Sequence, residues 1–84
     1  MKKKDYVKLE NMGFYYGMPK QILKELLEKD GYEPIEKNGM ITVNGRFLEE
    51  DKTKIETYAG VAFTLDENSV ASIKGIRIGD LYEN

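Results

Sequence analysis

Neither cysteine nor histidine occurs in these 84 residues. The first absence excludes disulfide staples, thiolate metal sites and cysteine nucleophiles, and the second removes the commonest general base and metal ligand. Acid–base chemistry would fall to carboxylates, lysines and tyrosines. Two acidic runs are candidates. A carboxylate calcium loop needs acidic or amide residues at alternate positions followed by a fixed glutamate; Asp66-Glu67-Asn68-Ser69 lacks that extended pattern and reads as a turn. Glu49-Glu50-Asp51, followed by Lys52 and Lys54, reads as a solvated connection, because adjacent residues on an exposed loop rarely converge on an ion. No spacing is diagnostic of a catalytic set. The expectation is therefore a non-enzyme with no catalytic residue, no metal and no cofactor.

Binding chemistry is better represented. Asn11-Met12-Gly13-Phe14-Tyr15-Tyr16-Gly17-Met18 packs three aromatics and two methionines between glycines, with neither strand alternation nor a helical stripe. Met12, Phe14, Tyr15, Tyr16 and Met18 are either a connector whose rings cap a helix and plug the end of a core, or a partner-binding patch on a glycine-hinged loop. A second set, Arg46, Lys52, Lys54, Lys74 and Arg77 with Tyr58 and Phe63, has the types that stack and neutralise single-stranded nucleic acid. Charge weighs against that alternative. The net charge is −2, and residues 31–84 hold six Lys/Arg against ten acids, while residues 1–30 hold seven lysines against five acids. A duplex-binding domain is usually strongly basic. The favoured reading is a small interaction module, a regulator, inhibitor or assembly component that occupies the surface of another protein or of a second copy of itself.

The elements that must position these residues begin with a helix. Met18, Ile22, Leu23, Leu26 and Leu27 recur at helical spacing, with Lys20, Gln21, Lys24, Glu25, Glu28 and Lys29 on the other side, which predicts one amphipathic helix over about 19–30. Pro19 suits its first position and Gly31 its close. A helix of this length is marginal alone in water, so its apolar stripe must be buried.

After Gly31 the period changes to two. Tyr32-Glu33-Pro34-Ile35-Glu36 and Met40-Ile41-Thr42-Val43 flank Lys37-Asn38-Gly39, the strongest short-range hairpin signal. Asn44-Gly45 either turns the chain again or bends a longer strand through Phe47-Leu48, and Gly60 leaves the same choice between Lys54–Tyr58 and Val61–Leu65. Val70–Ile78 is a last extended run, and Tyr6–Leu9 reads equally as a short strand or a helical turn. The pieces predict a single α+β domain over residues 1–84, with one helix packed on a curled, mostly antiparallel sheet of four or five strands. A small SH3-like barrel with one helix is the alternative. Residues 1–4 are expected to fray, and Leu81 and Tyr82 to tuck onto the body. No apolar run reaches bilayer length. The Lys/Glu-rich, cysteine-free composition fits a bacterial or phage cytoplasmic protein.

Ile22-Leu23-Lys24-Glu25-Leu26-Leu27-Glu28-Lys29-Asp30-Gly31-Tyr32, followed by two extended segments, resembles the start of HicA-type toxins, small RNA-cleaving domains with a double-stranded-RNA-binding-like fold. The resemblance covers about a quarter of the chain and implies a helix packed on an antiparallel sheet. That family's catalytic histidine would lie in the second strand, near Met40-Ile41-Thr42, and this chain has none. Neither site nor activity carries over.

Overall fold

A computed structural model describes residues 6–77. The elements follow in the order β1 (Val7–Lys8), a 3-10 turn (Leu9–Asn11), α1 (Lys20–Lys29), β2 (Ile35–Lys37), β3 (Met40–Glu50), β4 (Ile55–Asp66) and β5 (Ser69–Ile76). The class is α+β, with one helix and a five-stranded sheet in the order β1-β3-β4-β5. On the side of β3 away from β4, β2 pairs antiparallel with Met40–Thr42 and β1 pairs parallel with Phe47–Leu48. The sheet is therefore mixed, and it does not close into a barrel. Among the described residues no helix is long and apolar enough to cross a membrane.

Pro19 sits one residue outside α1, at φ −64° and ψ 142°, as the extended residue before the first turn rather than the first helical residue. Gly31 ends the helix as its sequence position foretold. At φ +91° it turns the chain so that its own N–H donates to Glu28 O and the Tyr32 N–H donates to Leu27 O, both at 3.0 Å. Those two bonds satisfy carbonyls that a helix end otherwise leaves open. Leu23 and Leu27 are fully buried and Leu26 is half-buried, but Ile22 is 45% exposed. At about 100° per residue the four span about 140° of the helix, and Leu23 and Leu27 occupy the side turned to the sheet while Ile22 lies at the far edge. The buried stripe is narrower than the apolar one.

Leu23 and Leu27 enter one cluster with Met12, Met18, Ile41, Val43, Phe47, Val61, Phe63 and Val70. Asn38 and Gly39, at φ 54° and 75°, form the two-residue turn between β2 and β3 with the backbone twist that antiparallel strands prefer. Asn44-Gly45 bends β3 instead of ending it: the register with β4 slips between Asn44 and Phe47. A Cβ on Gly45 would stand 2.8 Å from the rings of both Phe47 and Tyr32, which themselves pack at 5.3 Å between centroids. Gly60 likewise lies inside a single long strand, close against the Val43 carbonyl. Tyr6–Leu9 resolves into the two residues of β1 and the start of the 3-10 turn. The expectations for residues 1–4, Leu81 and Tyr82 lie outside the described residues.

Candidate functional site

Two adjoining clefts open at the end of the sheet that carries the β3–β4 connection, and four residues, Glu49, Glu50, Ile73 and Gly75, line both. The larger, about 570 Å3, is also lined by Asp51, Lys54, Glu56, Tyr58, Lys74 and Arg77. Strand pairing builds it. Phe47 is opposite Tyr58 and Glu49 opposite Glu56, and residues directly opposite in an antiparallel pair share a face. The face that buries Phe47 thus runs on past the core into charged residues. Gly75 permits this arrangement, since a Cβ there would fall 2.4 Å from the Tyr58 ring, which occupies that space instead.

The charges of the larger cleft largely satisfy one another. The Tyr58 hydroxyl donates to Glu49 Oε1 at 2.7 Å. That bond first, and then partial desolvation and the carboxylate charges, hold the phenol in its neutral form and push its pKa up to about 12. Glu56 receives Arg77 at 3.2 Å and Lys54 at 3.3 Å on its two oxygens. Asp51 accepts the Lys52 backbone N–H at 2.7 Å. The smaller cleft, about 250 Å3, is lined by Leu9, Phe14, Tyr16 and Leu48 as well as Lys8 and Glu10. Lys8 meets Glu50 at 3.0 Å, a contact that raises the lysine pKa.

The aromatic segment divides. Met12 (7% exposed) and Met18 (1%) are core residues, and Phe14 is half-buried edge-on against Phe63 at 4.8 Å between centroids. These three plug the core. Tyr15 (53%) and Tyr16 (70%) face solvent, and Tyr16 borders the smaller cleft. Of the basic set, Lys54, Lys74 and Arg77 line the larger cleft together with four acids. Arg46 is elsewhere, its guanidinium 5.9 Å from the Tyr6 ring centre, and Lys52 lies in the β3–β4 connection. Tyr58 joins the three cations in the cleft, whereas Phe63 is buried and unavailable for stacking.

The edge of β5 completes the site. At its start the chain pairs with itself: Gly17 N–H donates to Val70 O at 2.7 Å, Val70 N–H to Met18 O at 2.9 Å, and Lys20 N–H to Asn68 O at 2.8 Å. Ala71 is then skipped in the register, Thr64 standing opposite Ser72 and Leu65 opposite Val70. Antiparallel ladders alternate between bonded and non-bonded pairs. Leu65 N–H donates to Gly39 O on the β3 side, so Thr64 and Ala62 bond towards β5, to Ser72 and Lys74. The N–H and C=O groups of Ile73 and Gly75 consequently point outward, with no partner among the described residues.

Sequence reasoning singled out the aromatic segment and the cations but missed the Tyr58–Glu49 bond and did not identify β5 as the strand whose edge is open. The first joins residues across a hairpin whose register no local pattern fixes. The second is a property of sheet order. A third unforeseen feature is structural: Glu36 of β2 is clasped by the ammonium groups of Lys20 and Lys24 at 2.7 and 2.6 Å, which pull its pKa down to about 2. Comparison with protein-family models, with curated proteins and with solved structures finds no match to this chain.

Proposed function

We propose that the protein is a non-enzymatic interaction module that acts by presenting the Tyr15/Tyr16 surface and the adjoining β5 edge to a partner protein. The observation that carries this reading is the juxtaposition of an exposed aromatic pair with a half-used strand edge. Gly17–Pro19 already occupies the first part of that edge in the manner of an added strand, and Tyr16 stands where the occupied part ends. Main-chain bonds along an edge supply affinity and neighbouring pockets supply selectivity. Tyrosine adds large contact area at small entropic cost. The larger cleft fits a non-catalytic role, because Glu49, Glu56, Lys54 and Arg77 are engaged with one another or with Tyr58.

The test is affinity capture from the native host followed by mass spectrometry, with wild type compared with Tyr15→Ala/Tyr16→Ala. Both side chains are exposed, so the variant keeps its fold. A partner retained by wild type and lost from the variant supports the reading; identical capture by the two proteins overturns it.

A further inference from the structure

From the charge and alternation of β5, and resting on the interaction reading above, we infer that the open edge takes an extended partner segment of alternating pattern, with an acidic side chain set between two apolar ones. The two faces of the edge are chemically different. Ile73 is opposite Phe63 and Gly75 opposite Val61, so both belong to the helix-side face. A strand added there directs its alternate side chains over Ile73 and Gly75 into the smaller cleft. Leu9, Phe14, Tyr16 and Ile73 give that cleft apolar walls, and Glu10, Glu49 and Glu50, with Lys8 bound to Glu50, give it a rim that is acidic on balance. Its volume of about 250 Å3 corresponds to about eight waters at about 30 Å3 each, space for one or two aliphatic side chains. Three glutamates outweigh the one lysine, so a carboxylate entering there would be repelled.

On the other face the preference reverses. Lys74 borders the larger cleft, but its neighbours on its own face of the ladder, Ala62 opposite, Ser72 and Ile76 along β5, and Thr64 and Gly60 across it, carry no charge, and none of the cleft's four acids pairs with it. It has no ion-pair partner among the described residues. The partner residue that comes to lie beside Lys74 is therefore the acidic one. The same charges disfavour a second copy as the occupant. Ser69–Arg77 contains Lys74 and Arg77 and no acid, so self-pairing of two β5 strands brings cations together.

Fluorescence anisotropy with labelled octapeptides tests this. The probes are a peptide in which valine alternates with glutamate, its counterpart with lysine for glutamate, and a peptide of the first composition with valines and glutamates in separate blocks. The alternating acidic peptide binds about three- to tenfold more tightly than the basic one, the effect of gaining one cross-strand charge pair and avoiding one opposed pair. The block peptide binds more weakly than the alternating one. Lys74→Glu inverts the preference, and Lys74→Gln, a milder change at an exposed position, abolishes it. In a heteronuclear NMR titration the amides of Ile73 and Gly75 shift most. Equal binding of acidic and basic peptides, no binding of either, shifts centred elsewhere, or self-association through β5 overturns the inference. Capture of a host partner that depends on Tyr16 but is unchanged by Lys74→Glu also overturns it, while leaving the interaction reading in place.

Discussion

Gly75→Ala probes the construction of the larger cleft. A Cβ at this position would lie 2.4 Å from two atoms of the Tyr58 ring and 2.5 Å from a third, near the base of the ring rather than at a free tip. Tyr58 must move as a whole, and its hydroxyl then loses Glu49 Oε1 at 2.7 Å. Overpacking of this kind costs about 1–3 kcal/mol, offset by up to about 1 kcal/mol because alanine leaves the unfolded chain fewer conformations to lose. The net loss falls within about 0–3 kcal/mol, and its midpoint of about 1.5 kcal/mol lowers the melting temperature of a domain this size by about 6–12 °C. The phenol pKa falls back from about 12 towards its ordinary value as its hydrogen bond goes. In a Tyr58→Ala background the obstructing ring is absent, and Gly75→Ala becomes neutral or stabilising by about 0.4–1 kcal/mol. Urea denaturation of the four proteins of this cycle gives the coupling directly. An equal cost of Gly75→Ala with and without the Tyr58 ring, or no cost in either, would refute the packing of Tyr58 on Gly75.

Glu36 has a folded pKa of about 2, below its usual 4.5, so its clasp by Lys20 and Lys24 stabilises the fold above about pH 4.5 and is lost as pH falls towards 2. Glu36→Gln flattens the stability–pH curve in that window, and urea midpoints measured across it detect the change. Tyr58 moves the other way: its stabilising effect is complete below pH 10 and disappears as pH rises to about 12. Spectrophotometric phenolate titration of Glu49→Gln shows one tyrosine ionising at lower pH than in wild type. Leu27→Ala, at a fully buried helix position, costs about 2–5 kcal/mol, whereas Ile22→Ala at 45% exposure costs less than half as much, both read from denaturant midpoints at constant slope. An electrophoretic mobility titration with single-stranded oligonucleotides at two salt concentrations shows no salt-sensitive binding at micromolar protein, because four acids share the cleft that holds Lys54, Lys74 and Arg77.

Features set by a few adjacent residues were legible in the sequence. Gly31 closes α1 and Asn38-Gly39 turns β2 into β3, each at the positive φ its residue type permits. Features set by what arrives from elsewhere were not. Gly45 and Gly60 left turn and bend equally open; each lies inside a continuous strand paired across the sheet, Gly45 against the Phe47 and Tyr32 rings and Gly60 against the Val43 carbonyl. The parallel pairing of β1 with β3 rests on two residues, too few for any periodicity to reveal. Within Met12–Met18 an irregular backbone offers no period with which to separate faces, so burial of Met12 and Met18 and exposure of Tyr15 and Tyr16 were equally compatible with the composition. The open edge of β5 depends on strand order, which alternation along one strand does not encode.

Amide hydrogen exchange on β5, with and without the partner recovered from the native host, bears most directly on the interaction reading. Protection of the Ile73 and Gly75 amides on complex formation, with the Lys74 amide already protected by its pairing to Ala62 in the free protein, is the predicted result. A complex in which Ile73 and Gly75 exchange as freely as before, while protection builds on another face, would contradict it.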